Sequence, residues 1–527
     1  MTFEKNQPQS YIRDPLIVAS LAALCLIAYS NSFYNEFHFD DFRLIRFNFW
    51  IRDWKYWKEI LLYERFRPLV GVLFAVNYQI GQKDPFSYHV VNLALHMIVV
   101  LLFYRFLLRC SFSRLSCFFA AGLFAIHPLN TESVAYVSGR SIVLCAAMYL
   151  SAMLAFDSYL RTNRRLPLYL FVLFTALGVF SREEALLIPV AALLYNAYLL
   201  GTDSVRKHAK FHVAGIIAVF AAAGLRFVLH QHYVEDLPVP VPVYMVTEIP
   251  VWLRYLWLGI FPVSLNIDHD VQPVSFAGVR LILSAAGVAA ILFALWRARK
   301  THPFLSFWGF WFFLNLLVSS SLIPLNDFMA EHRSYISTLG ICAVAAYPLV
   351  AFRNTGRSAS IAVALIAVLF FFTAATLRRN AVWATNVTLW SDAVQKSPKK
   401  FRPHVNLGTA LLQENGPDHA IVYFLVARSL NPKHPAAYTG LGLADLQRDN
   451  TAIAEQNFRI ALRLDPNWTD AQAGLGLTLF RTGNCDEALP YLTVVREKRK
   501  ESIELVQMIR QCQTAIEAKK GRKYSRS

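Results

Sequence analysis

The sequence predicts an all-α protein in two parts, a bundle of membrane-spanning helices followed by a solenoid of helical repeats. The first observation is composition: the 527 residues are 55% hydrophobic and only 17% charged, whereas soluble domains are about 25% charged. The second is a run of long apolar segments, and the third is a 34-residue periodicity near the end of the chain. This composition excludes disordered, collagen-like and ordinary soluble proteins.

Net charge and cysteine content narrow the class further. The formal charge is +17; nucleic-acid binding could explain it, but in a membrane protein the cytoplasmic loops usually carry such an excess. No cleavable signal sequence is expected, because the apolar segment 15–33 lacks a small-residue cleavage site. The seven cysteines have neither CxxC nor metal-ligand spacing and are predicted to be unpaired thiols: Cys25, Cys110, Cys117, Cys145, Cys342, Cys485 and Cys512.

About eleven segments are predicted to cross the membrane, each of about 15 to 24 residues. Segments 66–80 and 247–263 are predicted to lie on or re-enter the membrane instead, because each has a proline near its start and polar residues within it. With this count the basic loops share one side, which is then cytoplasmic. The spans are 15–33, 86–108, 115–126, 141–160, 166–181, 184–200, 210–230, 278–296, 303–323, 335–352 and 359–377.

Residues after 380 repeat every 34 positions, which is the tetratricopeptide period. The sequence predicts a membrane domain at 1–380 and a repeat domain at 381–527, with a half repeat, full repeats near 401–434, 435–468 and 469–502, and a closing helix at 501–519. Stacked repeats of this kind form a concave groove. Three ladders define the period: Pro398, Pro432 and Pro466; Gly408, Gly442 and Gly476; Ala420, Ala454 and Ala488.

Two adjacent carboxylates, Asp40 and Asp41, lie in the first loop predicted on the non-cytoplasmic side, among several phenylalanines. Carboxylates at an apolar boundary hold protons more tightly, which suits a general base. A helix N-cap or a solvated loop pair explains two adjacent acids equally well.

Four arginines fall at the outer ends of predicted spans: Arg67, Arg140, Arg182 and Arg333. An arginine there can hold a phosphate through two parallel hydrogen bonds, or it can snorkel to lipid headgroups. Four on one face, mixed with acids, favour an anionic ligand.

Other polar residues on the same side are candidates for supporting roles: Glu132, Glu331, His332 and Tyr335. Glu331 could orient Arg333; the alternative for these residues is an interfacial ion pair with Tyr335 as a tyrosine of the aromatic belt. Asp268, His269 and Asp270 resemble a metal site, but three consecutive residues cannot readily supply three ligands to one ion. No metal is therefore expected.

These motifs together resemble the multi-span glycosyltransferases of the GT-C type that use a polyprenyl-phosphate sugar. The chain is most similar to the transmembrane and tetratricopeptide repeat-containing protein O-mannosyltransferases, including bacterial relatives. The resemblance covers nearly the whole chain, and its motifs are Phe39-Asp40-Asp41, Arg67-Pro68-Leu69, His127 to Glu132 with Gly139-Arg140, Arg182-Glu183-Glu184, Glu331 to Tyr335, and the 34-residue ladders.

The resemblance implies a GT-C fold, Asp40 as catalytic base and Asp41 as its neighbour. It implies transfer of one sugar, mannose, from a polyprenyl-phosphate donor to a Ser or Thr hydroxyl of a protein, with inversion. Arg140 or Arg333 would stabilise the leaving phosphate, assisted by Arg67 and Arg182, and no cofactor or divalent metal is expected. The acceptor protein would bind in the repeat groove, and no nucleic-acid partner is expected.

Two alternatives stay open from the sequence. The same chemistry could act on a cell-envelope glycan or lipid, or the chain could be a non-catalytic membrane-anchored scaffold. The expected location is a bacterial inner membrane with the site and the repeats outside the cytoplasm, or the ER membrane with both in the lumen in a eukaryote.

Overall fold

The computed structural model describes residues 15–63, 67–110, 112–229, 239–276, 278–318, 325, 327–352, 357–498 and 503–524. The chain forms two compact units, Met1–Thr385 and Asn386–Ser527. Throughout the described ranges the regular secondary structure is helical. The all-α prediction is therefore confirmed.

Sixteen α-helices, joined in places by short 3-10 and π turns, build the described part of the first unit. They are α1 (Pro15–Ala28), α2 (Trp57–Tyr63), α3 (Pro68–Gly81), α4 (Pro85–Arg109), α5 (Arg114–Ala125), α6 (Thr131–Ala135), α7 (Arg140–Thr162), α8 (Arg165–Val179), α9 (Ile188–Tyr195), α10 (Thr202–Lys207), α11 (Ala209–Leu229), α12 (Val241–Ile260), α13 (Val279–Ala298), α14 (Pro303–Leu316), α15 (Tyr335–Ala351) and α16 (Arg357–Val382).

Six stretches of the described residues are long and apolar enough to cross a bilayer. They are Pro85–Arg109, Val137–Thr162, Glu183–Leu200, Val279–Ala298, Glu331–Ala351 and Arg357–Val382. Six further apolar helices, including α1 and α3, are shorter. An integral membrane protein is thus supported, while the count of eleven spans stays a prediction.

Aromatic side chains pack the centre of this unit. Phe106 of α4 meets the indole rings of Trp308 and Trp311 of α14 at centroid distances of 5.7 and 6.3 Å, and Tyr149 of α7 lies 5.1 Å from Trp311. Large rings bury the most apolar area per residue and set the spacing between neighbouring helices. This packing holds α4, α7 and α14 together and so fixes the loops at their outer ends.

The second unit consists of helix pairs: α17 (Asn386–Lys396), α18 (Phe401–Gln413), α19 (Pro417–Leu430), α20 (Pro435–Gln447), α21 (Thr451–Leu464), α22 (Thr469–Arg481), α23 (Cys485–Lys498) and α24 (Ile503–Tyr524). Helices α18 and α19, α20 and α21, and α22 and α23 pack as pairs; the division into a half repeat, three repeats and a closing helix stays a prediction. Prolines begin α19 and α20, a position where the missing N–H costs nothing.

Pairs of glycines from successive repeats leave room for a phenylalanine ring between them. A Cβ on Gly408 would lie 2.8 Å from the Phe424 ring, and a Cβ on Gly440, in the next repeat, would lie 2.2 Å from the same ring. Phe458 is held in the same way between Gly442 and Gly474. Each ring therefore packs its own helix pair and locks the next pair against it.

Candidate active site

The loop after α1 turns sharply at the predicted acidic pair. Phe39 has a φ of +41°, a left-handed conformation that is uncommon for a residue with a bulky side chain. Strained residues of this kind concentrate at functional sites. Directly after it the side chains diverge: Asp40 is 46% exposed, whereas Asp41 is fully buried.

The buried carboxylate of Asp41 is held by backbone and side-chain donors. Oδ1 accepts the Ser138 amide at 2.8 Å and also the Ser138 hydroxyl, and Oδ2 accepts the His38 amide at 3.0 Å. Burial raises the pKa of Asp41 to about 7, although these three hydrogen bonds oppose the increase. Asp41 therefore joins the first loop to the segment before α7.

The exposed carboxylate of Asp40 lies next to a buried tyrosine. The Asp40 amide donates to the hydroxyl oxygen of Tyr136 at 2.9 Å, and Arg43 Nε lies 3.9 Å from its carboxylate. Burial, with smaller contributions from the two carboxylates, raises the pKa of Tyr136 well above its usual value, so the phenol stays protonated. Asp40 is thus an accessible acceptor on a fixed support.

The support continues to the end of α16. The Tyr136 ring packs against Trp383 at 5.6 Å, and Nε2 of His38 donates to the Trp383 carbonyl at 2.7 Å. The Glu36 amide also donates to the Ala384 carbonyl at 3.1 Å. Two segments distant in sequence, at Tyr136–Ser138 and at Trp383–Ala384, thereby hold the acidic loop.

Arg140 differs from its predicted role. It is fully buried, its Nε donates to Asn92 Oδ1 and its Nη2 to Asn77 Oδ1, both at 2.8 Å, and its guanidinium lies 4.8 Å from the Phe74 ring centre. Nη2 also donates to the Tyr88 carbonyl at 3.1 Å. Because protein groups surround the cation, Arg140 offers no free donor to a phosphate in this conformation; it braces α3 and α4 against α7.

Arg67 and Arg182 pair with successive glutamates. Arg67 Nη2 lies 3.0 Å from Glu183 Oε1 and stays half-buried. Arg182 Nε lies 3.0 Å from both oxygens of Glu184, and both side chains are nearly inaccessible. Buried pairs of this geometry are structural ties unless a ligand replaces one partner.

Glu132 and His332, both candidates for supporting roles, contact each other. His332 Nδ1 lies 2.6 Å from Glu132 Oε1, and the His332 amide donates to Oε2 at 3.3 Å. Burial raises the pKa of Glu132 to about 7, while the Arg379 and His269 charges lower it. Glu132 lies in α6, shortly before Tyr136 and Ser138, which contact Asp40 and Asp41. One stretch of chain therefore contacts both the acidic pair and His332.

Glu331 collects a second group of partners. Its Oε1 accepts from His269 Nε2 at 2.9 Å and from the Asn266 amide, and its Oε2 lies 3.8 Å from Arg379. The predicted ion pair between Glu331 and its neighbour Arg333 is not present among these contacts.

Arg333 faces a different buried acid. Its Nη1 donates to the Asp327 carbonyl at 2.8 Å, and its Nε has no partner among the described residues. Glu248 of α12 is buried, and neither of its carboxylate oxygens has a hydrogen-bond donor in the described part of the chain. Arg333 therefore lies near a buried acid and retains an Nε donor that the described residues leave unused, which a ligand could engage.

Tyr335 does not reach the site. Its hydroxyl lies 2.6 Å from His96 Nδ1 in the fully buried centre of the unit, and its ring packs on Phe124 at 5.1 Å. The proposed supporting role therefore has no contact behind it. Asp268, His269 and Asp270 also diverge: His269 binds Glu331, while Asp270 is exposed and accepts from Gln272.

Several residues of the site were not predicted from the sequence: His38, Tyr136, Ser138, Glu248 and Trp383. Tyr136 and Ser138 lie inside the recognised segment between Glu132 and Arg140, which is a signal that could have found them. Trp383 follows the last apolar span, where nothing in its neighbours marks a function.

A membrane bundle with loop carboxylates, followed by tetratricopeptide-like helix pairs, is the class that fold and site define together. No family model matches the chain. Its curated relatives include "Protein O-mannosyl-transferase TMTC3" of Mus musculus, 24% identical over 80% of this chain and 51% of the relative. Another is "Protein O-mannosyl-transferase F38B6.6" of Caenorhabditis elegans, 26% identical over 78% of this chain and 62% of the relative.

Human "Protein O-mannosyl-transferase TMTC1" is 24% identical over 80% of this chain and 55% of its own length. The chain thus spans little more than half the length of these relatives. The crystal structure of yeast Tom70 aligns with 73% of this chain and 93% of its own chain at 13% identity, with a TM-score of 0.24. The resemblance to protein O-mannosyltransferases found in the sequence is confirmed.

Proposed function

We propose that this protein is a membrane glycosyltransferase that moves one mannose from a polyprenyl-phosphate donor to a Ser or Thr hydroxyl of a protein. The observation that carries the proposal is the acidic loop: a half-exposed Asp40 carboxylate on a backbone fixed by the buried Asp41. The relatives named protein O-mannosyl-transferase supply the substrate class.

In this reaction Asp40 removes the proton of the acceptor hydroxyl as that oxygen attacks the anomeric carbon. The bond to the phosphate breaks on the opposite face of the sugar, so the configuration inverts. Tyr136 holds the Asp40 backbone from below through its hydroxyl oxygen, which keeps the carboxylate turned outward. General-base catalysis of this kind contributes about 10²–10⁴-fold.

The leaving phosphate gains negative charge, and a cation within reach lowers the barrier. Arg333 suits this task because its Nε is not occupied within the described residues. Arg67 and Arg182 would contribute only by exchanging Glu183 and Glu184 for the phosphate. A single phosphate balanced by arginine requires no divalent metal, and activity should survive chelation.

The acceptor polypeptide would bind in the groove of the second unit. A cavity of about 390 Å³ opens there, lined chiefly by small and apolar side chains that include Val405, Ala436, Leu443, Trp468 and Leu477. Such a surface binds an extended segment through its apolar side chains. In this proposal the site and the repeats lie on the non-cytoplasmic side of the membrane. The basic loops are predicted on the opposite side, and basic loops are typical of the cytoplasmic side.

The decisive experiment is a transfer assay in isolated membranes with radiolabelled polyprenyl-phosphate mannose. Label should appear in protein, resist removal by lipid extraction, and disappear in the D40N variant. Label found only in glycan or lipid would show that the acceptor is not a protein. Absence of transfer by an intact, folded protein would favour the non-catalytic scaffold.

A further inference from the structure

Two cysteines of the second unit, separated by most of a helical hairpin, meet side by side. Sγ of Cys485, the first residue of α23, lies 2.7 Å from Sγ of Cys512 in α24. This is closer than the van der Waals separation of two unbonded sulfur atoms, and it is longer than the ~2.05 Å of a formed disulfide bond. The other five cysteines all lie in the first unit, where they are buried.

The helix that carries Cys512 has a narrow apolar face. Among its described side chains, three buried residues, Leu505, Ile509 and Cys512, lie at the i, i+4, i+7 spacing of one helical face. They pack against a cluster that contains Leu492 and Val495 of α23. One exposed ion pair, Lys519 with Asp486 at 2.8 Å, adds little. A disulfide bond at Cys512 would add to the stability with which this narrow apolar face holds α24 against α23.

We propose that Cys485 and Cys512 form a disulfide bond that fastens the closing helix α24 to the last repeat. In the structure all seven cysteines are free thiols, as the sequence predicts. The proposed bond would change this for Cys485 and Cys512 alone, which spacing along the chain does not mark because the two residues meet across a hairpin of two helices.

The oxidant is an external disulfide, R–S–S–R, either a small molecule or a thiol–disulfide exchange protein. The half-buried Cys485 thiolate attacks one of its sulfurs, forms a mixed disulfide and releases RS⁻. The Cys512 thiolate then attacks the Cys485 sulfur and expels the second RS⁻. Two electrons pass to R–S–S–R, and the two thiol protons leave on two RSH.

The environment of the pair supports this order. Cys512 is fully buried, and burial raises the pKa of its thiol to about 12, so it reacts poorly with a bulky disulfide from solvent. Cys485 is partly exposed and can be reached first. Once Cys485 carries the mixed disulfide, the adjacent sulfur of Cys512 needs almost no movement to complete the exchange.

The test uses the full chain in detergent, treated with glutathione disulfide and then with N-ethylmaleimide. Trypsin should release peptide 482–496 joined to peptide 511–519, two hydrogens lighter than the separate thiol peptides. Reduction should lower the thermal midpoint of the second unit by about 5 °C. Reduction should leave C485S, C512S and the double variant unchanged, whereas C342S should behave as the wild type.

Two results would overturn the bond: full alkylation of both thiols in the folded, glutathione-treated protein, or an equal response to reductant in the wild type and the double variant. Rapid alkylation of intact cells separates this proposal from the proposed function. A pair oxidised in cells supports the bond and the non-cytoplasmic side together. If the pair is reduced in cells but oxidised in the isolated chain, the disulfide proposal stands and the proposed non-cytoplasmic location of the repeats is wrong.

Discussion

Ser138 donates both its backbone amide and its hydroxyl to the same carboxylate oxygen of Asp41, across 97 positions of the chain. The bond joins the first loop to the segment that precedes α7, the two stretches of sequence in which the family motifs are densest. It also divides the work of the acidic pair. Asp41 holds the loop together, which leaves Asp40 available for chemistry.

Replacement of the exposed acid should affect turnover alone. The D40N variant keeps shape and backbone contacts but removes the proton acceptor, so transfer should fall by about a hundredfold or more. Asp40 is 46% exposed, and its loss should leave the thermal midpoint unchanged. D53N, in an exposed carboxylate of the same loop, is the matched control and should retain full transfer. Near-normal transfer by D40N would remove Asp40 from the mechanism.

Replacement of the buried acid should cost stability first. If Asp41 only tuned its neighbour, D41N would be the milder change; its burial and hydrogen bonds predict a cost in stability as well. An asparagine amide would point N–H groups at the donors of Ser138 or His38, and an unmatched buried donor costs about 1–3 kcal/mol. We expect a lower thermal midpoint together with lower transfer. A variant with normal stability and normal transfer would contradict the bracing role.

The raised pKa of Asp41 predicts how stability changes with pH. The pKa of Asp41 is about 7 in the folded state, against an ordinary aspartate pKa of 3.8, so the folded state binds more protons between these two pH values. Stability from this group is fully present below about pH 4 and is lost as the pH rises through 7, at up to about 1.4 kcal/mol per pH unit. The midpoint of the wild type should fall relative to D41N from pH 5 to pH 8. Parallel curves would show that Asp41 does not titrate there.

The arginines should separate into structural and ligand-binding classes. R140A removes the partners of Asn77, Asn92 and the Tyr88 carbonyl from a fully buried site. With several acceptors left unsatisfied, it should lose about 3 kcal/mol or more and yield little folded protein. R333A should fold and use the donor poorly, and R333K should restore only part of the loss, because a point charge cannot reproduce the guanidinium fork.

Donor saturation curves measure this separation in protein that passes a folding check by circular dichroism and thermal melting. A stable R140A protein with a raised KM for the donor would return Arg140 to the phosphate site. An unchanged KM in R333A would exclude Arg333 from it.

The groove of the repeats should select the acceptor without touching the donor. L443R puts a charge on the apolar lining, and V422R puts the same charge on an exposed position outside it. We expect L443R to abolish transfer to the natural acceptor while donor binding persists, and V422R to have no effect. Equal losses in both variants would point to general damage, and no loss in L443R would leave the groove without a role in this reaction.

Much of the fold was open to sequence reasoning because its signals are periodic. The 34-residue ladder predicts α18 to α24 within a few residues, since glycine and phenylalanine recur where two helices must touch. The apolar runs likewise predict α4, α7 and α16. The number of membrane crossings is harder, because α1, α3 and α14 are apolar but shorter than a bilayer requires.

The site was only partly predictable because charge type says nothing about burial. Arg140 and Arg333 are indistinguishable as letters at the ends of apolar runs, yet one is enclosed by asparagines and the other keeps a donor unused. Tyr335 follows the Glu331 motif but turns into the core toward His96. Contacts such as Asp41 with Ser138 depend on how helices stack, which no local pattern encodes.

The fit of Phe424 between Gly408 and Gly440 makes the solenoid extensible. Residues 435–468 contain Gly440, which leaves space for the ring of Phe424 in the preceding repeat. They also contain Phe458, whose ring packs against Gly474 in the following repeat. A duplicate of this segment inserted after position 468 would set its Gly440 against Phe458 and its Phe458 against Gly474, so the ring-to-glycine fit would recur at both new contacts. The duplicate would follow Trp468 where the native helix α20 follows His434, whose side chain accepts from the Ala436 amide, so a histidine at that junction would restore the cap.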